Sequence, residues 1–83
     1  MGPAVGGRQI HQPQQGLLSP HELARAYFGS AQLARAEEAL LRLVDLAPAN
    51  GWARRALART LERQSRGDEA SSHHRMADAL GAA

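Results

Sequence analysis

Apolar residues recur along this chain at helical rather than alternating spacing, and each run is bracketed by residues that start or stop helices. The first run opens at "SPHEL", where Ser19 serves as N-cap, Pro20 suits the first helical position and Glu22 completes a capping box. Leu23, Ala24, Tyr27, Phe28 and Ala31 then form a stripe, which Gly29 and Ser30 interrupt. A second run sets Leu33, Ala36, Leu40, Leu43, Val44 and Ala47 on one side and stops at Pro48. Proline restricts the residue before it and has no amide to donate. In "ANGW", Asn50 is the candidate cap of a third helix, which runs to about Gln64 with Ala53, Ala56, Leu57 and Leu61 inward. The break at "SRGDEA" has Gly67 for the turn and Asp68 for capping and the helix dipole. A last helix, from about Asp68 to Leu80, offers Ala70, Met76, Ala77 and Leu80. It sets His73 and His74 where larger apolar groups would pack better. The pattern predicts an all-α fold of four helices in two antiparallel hairpins. Residues 1–16, rich in Gly, Gln and Pro, bury too little to offset ordering and read as a flexible tail. A peptide arm docking on a neighbouring molecule is the alternative.

Sliding the sequence against itself by 34 residues brings Leu23 onto Leu57, Ala24 onto Ala58, Tyr27 onto Leu61 and Ala36 onto Ala70. "LARAY" (Leu23 to Tyr27), "AEEAL" (Ala36 to Leu40) and Pro48 follow the order of small, aromatic and apolar positions that marks one repeat family. This first copy resembles a tetratricopeptide repeat, with Ala24 for the usual glycine and Leu40 for phenylalanine. The second copy departs further: "LARTL" loses the tyrosine, "ASSHH" ends on histidine, Ala82 replaces the proline, and Trp52 lies two positions before the family's tryptophan site. The resemblance implies two stacked hairpins in a short right-handed solenoid, over about residues 17–50 and 51–83. Small side chains at Ala24, Ala36, Ala58 and Ala70 would let paired helices approach closely. An unrelated four-helix bundle with an accidental period is the alternative.

Composition narrows the class. Eighty-three residues make one small domain, and a chain this short needs dense packing or a partner. The absence of cysteine excludes disulfides and thiolate metal sites and suits a cytoplasmic home. No segment has signal-peptide or membrane-spanning character, so no membrane partner is expected. All positive charge is arginine, as a GC-rich bacterial coding sequence would produce; selection for bidentate carboxylate or phosphate recognition is the alternative. A formal net charge of +2 is small for a dedicated nucleic-acid binder.

The candidate chemistry is recognition. In the family resembled, ligands bind a concave surface lined by the first helix of each hairpin. In this register that surface holds Leu18, His21, Arg25 and Phe28, then Trp52, Arg55, Arg59 and Arg63, with Glu62 beside them. Arg55, Arg59 and Arg63 share a helix face, and like charges at that spacing cost a few tenths of a kcal/mol per pair. Either acids of the same molecule (Glu37, Glu38 or Asp68) or an anionic partner should offset this. Trp52 and Phe28 would anchor an apolar side chain beside a carboxylate. The carboxylate clamp of chaperone-binding relatives is not expected, because Ala56 stands at its asparagine site and there is no third copy. His73 and His74 are successive on a helix and point about 100° apart, so no metal site is expected, and no cofactor either. No nucleophile sits beside a base and no phosphate loop is present, so no enzyme is expected.

Repeats of this kind bury their faces by stacking, usually three or more with polar caps. Two copies leave Leu41, Leu46 and the aromatic pair short of partners, so homodimerisation is expected. The sequence reading is therefore a protein-interaction module that accepts an acidic segment and self-associates. A purely structural assembly adaptor, or weak nucleic-acid binding through the third helix, is the alternative.

Overall fold

Four helices follow one another between Pro20 and Ala79: α1 (Pro20–Gly29), α2 (Leu33–Leu46), α3 (Gly51–Arg63) and α4 (Gly67–Ala79). The structure is a computed structural model that describes residues 18–83. The tail expected over residues 1–16 lies outside the described residues. All the secondary structure described is helical, in agreement with the all-α expectation. No helix among the described residues is long and apolar enough to cross a membrane.

The helix starts obey the local chemistry. The Ser19 hydroxyl accepts from the Glu22 amide at 3.1 Å, while the Glu22 carboxylate accepts from the Ser19 amide at 3.1 Å. The two bonds satisfy amides that the first turn of α1 leaves without helical partners. Asn50 caps α3 through the Ala53 amide at 3.1 Å. The start of α4 differs from expectation. Arg66 is its cap residue and makes no side-chain cap bond, and Gly67 and Asp68 already lie inside the first turn.

Helix ends show a device that composition alone does not announce. Ala31 (φ 57°) and Ser65 (φ 62°) occupy the left-handed region after α1 and α3, although neither is glycine. Each is followed by an amide that reaches back five residues, Gln32 to the Tyr27 carbonyl and Arg66 to the Leu61 carbonyl. Gly81 (φ 77°) plays the same part after α4, with Ala82 donating to Ala77 at 2.9 Å. This arrangement satisfies terminal carbonyls and turns the chain sharply, which sets each hairpin. Ala31 and Ser65 stand 34 positions apart, as do the ends of α1 and α3 and the starts of α2 and α4.

Packing is sequential: α1 on α2, α2 on α3, and α3 on α4. The core is Ala24 of α1, then Ala36, Leu40, Leu43 and Val44 of α2. From α3 it takes Ala53, Ala56, Leu57, Ala58 and Leu61, and from α4 Ala70. All four alanines singled out by the 34-residue register are buried, at 0–1% exposure. Where helices touch through methyl groups their axes come close, and every neighbouring leucine gains contacts. Thr60 is also fully buried, its hydroxyl donating to the Ala56 carbonyl at 2.9 Å, so it enters the core without an orphaned polar atom.

The apolar stripe of α4 is narrower than expected. Ala70 and Ala77 are buried, but Met76 is 43% and Leu80 39% exposed. Among the described residues helix α4 packs mainly against α3, so a second apolar row is left uncovered there. Leu41 (45%) and Leu46 (63%) are exposed on α2, as the surplus of apolar positions anticipated.

Candidate functional site

Trp52, in the first turn of α3, stands at the centre of the side chains that the sequence singles out. His21, Arg25 and Phe28 follow one another on a single face of α1, and all three reach it. The His21 ring lies 5.3 Å from the Trp52 ring, Phe28 meets it edge-on at 5.9 Å, and the Arg25 guanidinium sits 4.9 Å above its face. Edge-to-face rings and a cation over an indole are favourable pairings. Here they tie α1 to α3 across a gap that the main helix contacts leave open. Beyond Phe28 and Trp52 the surface continues into a recess of about 380 Å³ whose walls include Arg55, Ala56, Arg59, Ala82 and Ala83. Leu18, placed by the sequence on the same surface, lines a different recess instead, with Leu23, Tyr27, Arg35 and Arg42.

The arginines of α3 have unequal roles. Arg55 is held on every side. Its Nε donates to the Ala83 backbone oxygen at 2.9 Å, and Nη2 donates both to Asp78 and to the Ala82 carbonyl at 3.1 Å. Nη1 donates to His74 Nδ1 at 2.7 Å. Because Nδ1 accepts, the proton of the neutral ring lies on Nε2, which donates to Glu62 Oε2 at 3.1 Å. The chain Asp78–Arg55–His74–Glu62 therefore joins α3 to α4 by charge-assisted bonds. Arg59 and Arg63, by contrast, are exposed and make no ion pair among the described residues. With Glu62 and His74 they border a shallow, open recess. The acids that offset Arg55 are thus Asp78 and, through His74, Glu62, rather than Glu37, Glu38 or Asp68.

Glu37 instead accepts from Arg66 Nη1 at 2.8 Å. Arg66 also grips Glu69 side-on, Nε and Nη2 each donating at 2.8 Å. That two-point contact holds the Glu69 carboxyl below the usual carboxylate range and raises Arg66 further above its own.

His73 titrates low for a different reason. Partial burial disfavours the imidazolium, nearby Arg54 repels it and His74 adds to this, while Glu69 pulls weakly the other way. Its Nδ1 is shielded and has no hydrogen-bond partner among the described residues, so a proton there finds no acceptor. The unfolded chain, with an ordinary value near 6.5, then takes up the proton more readily than the folded one. Stability contributed by His73 is intact above that value and declines as pH falls toward the lower folded value. Urea unfolding between pH 7.5 and 5 should show this decline, and His73→Gln should flatten it.

A scan against protein-family models gave no match, and neither did comparisons with curated proteins and with solved structures.

The seven candidate residues of the sequence all lie on α1 and α3, and three of them, His21, Arg25 and Phe28, meet a fourth, Trp52. Sequence reasoning missed the His74 and Asp78 contacts to Arg55, because pairing between α3 and α4 depends on a crossing geometry that spacing does not encode. It also missed the return of Ala82 and Ala83 along α3.

Proposed function

We propose that this chain is a tetratricopeptide-like interaction module whose groove between α1 and α3 receives an acidic peptide segment. The observation that carries the reading is the Trp52 cluster. An indole flanked by Phe28 and His21, with Arg25 above it and the exposed Arg59 beyond, combines an apolar anchor with cations that make no ion pair among the described residues. Aromatic and arginine side chains of this kind dominate the energetics of protein interfaces. Arg59 supplies attraction and orientation, while the half-buried rings supply the area removed from water. Two further facts support a repeat architecture: the ends of α1 and α3 and the starts of α2 and α4 recur at 34 positions, and the four buried alanines stand in the same register.

A second reading has its own support. Leu41, Leu46, Met76 and Leu80 expose apolar surface on α2 and α4, which suits self-association of the module, a homodimer being the simplest closed form. The two readings part on Arg59→Glu, followed by sedimentation for mass and by fluorescence anisotropy with a labelled Glu/Ala peptide for binding. The peptide should bind about tenfold more weakly, close to 1.4 kcal/mol, with the mass unchanged. A fall in mass would assign Arg59 to self-assembly, and no change in either would remove it from both roles. Steep log-linear weakening of a single-stranded oligonucleotide with salt would point to phosphate binding instead.

A further inference from the structure

We propose that residues 81–83 occupy the groove as an internal stand-in for its acidic ligand, so that a carboxylate must displace them from Arg55 in order to bind. This rests on the groove reading above and adds the ligand contact and its regulation.

The Nε–Nη2 edge of the Arg55 guanidinium is occupied. Arginine receives a carboxylate side-on through Nε and one Nη, each donating to one oxygen. Arg66 shows that mode within this protein, its Nε and Nη2 taking the two oxygens of Glu69 at 2.8 Å each. On Arg55 the same pair of nitrogens takes two successive backbone oxygens, of Ala83 at 2.9 Å and of Ala82 at 3.1 Å. Two successive backbone oxygens therefore span the edge that would fit the two oxygens of one carboxylate. The rest of Arg55 is anchored separately, by His74 at Nη1 and by Asp78 at Nη2. The side chain is thus aimed and kept in place whether or not the segment is seated.

The segment also packs directly against the start of α3. Gly81 (φ 77°) turns the chain out of α4 and back toward α3. Ala82 then lies so close to Gly51 that a Cβ there would approach its own Cβ to 2.7 Å. Gly51 opens α3 one residue before Trp52, so the seated segment lines the same recess as Phe28, Trp52 and Arg59. An incoming peptide meets these side chains and the segment together.

Three proteins test this with one probe, a fluorescein-labelled peptide of alternating glutamate and alanine: the chain 1–83, a version ending at Leu80, and Gly51→Ala. The last retains every residue of the segment but denies Ala82 its seat, and alanine is the better residue within a helix. Anisotropy titrations should show both altered proteins binding about threefold to tenfold more tightly, because an occluded site lowers apparent affinity by its open fraction. Circular dichroism confirms that helix content is kept. Equal or weaker binding by both would overturn the stand-in, and the groove reading would survive if Arg59→Glu still weakened the full chain. No binding by any of the three would overturn both.

Discussion

Leu57→Ala should lower the free energy of unfolding by about 2–5 kcal/mol. Leu57 is completely buried in α3, the helix that packs on both α2 and α4. Removing its isobutyl group loses transfer free energy and leaves a cavity that the surrounding alanines cannot fill by rotating, since they have no side-chain torsions. A chain of this length has a total stability of roughly 4–12 kcal/mol, so the variant should be mostly unfolded at mild urea concentrations. Urea denaturation followed by circular dichroism measures this directly. An effect under about 1 kcal/mol would mean that α3 is not the packing centre of the molecule.

Trp52→Ala should have the largest effect on recognition. It removes the ring on which His21, Arg25 and Phe28 converge and the apolar floor beside Arg59. Peptide binding should fall by at least about thirtyfold, the loss expected at an interface anchor of about 2 kcal/mol. Stability should fall as well, by about 1–3 kcal/mol, because a half-buried indole contributes less than a fully buried one. Trp52→Phe should recover most of the stability while leaving the Arg25 contact weaker, since phenylalanine presents a smaller ring to a cation. Thermal unfolding and anisotropy separate the two losses. If peptide affinity is unchanged in Trp52→Ala, the groove is not the binding surface, whatever happens to stability.

Much of the local architecture was legible before any coordinates. "SPHEL" carries its own capping box, and Asn50 its own cap, because those bonds span three residues and depend on nothing distant. The register of Ala24, Ala36, Ala58 and Ala70 was legible too, since only small residues tolerate closely approaching helices, and all four are buried. Met76 and Leu80 were misjudged for a related reason. Periodicity shows which residues share a face, but burial of that face needs a neighbour, and α4 has one only on the side of Ala70 and Ala77.

The candidate site divides in the same way. That His21, Arg25 and Phe28 share one face of α1, and Arg55, Arg59 and Arg63 one face of α3, follows from helical geometry alone. Nothing in the spacing distinguishes Arg55 from Arg59, yet Arg55 is locked by Asp78, His74, Ala82 and Ala83, while Arg59 has no ion pair among the described residues. That difference was decided by where α4 and the residues after it return along α3. By itself the sequence determined the helices, the N-caps at Ser19 and Asn50 and the faces on which charge collects, because each follows from interactions a few residues apart. Only the tertiary structure decided which charges are matched, which leucines stay exposed and which residues line the recess beside Trp52. Those outcomes depend on helix crossings and on a left-handed turn at Gly81, which bring together residues more than twenty positions apart.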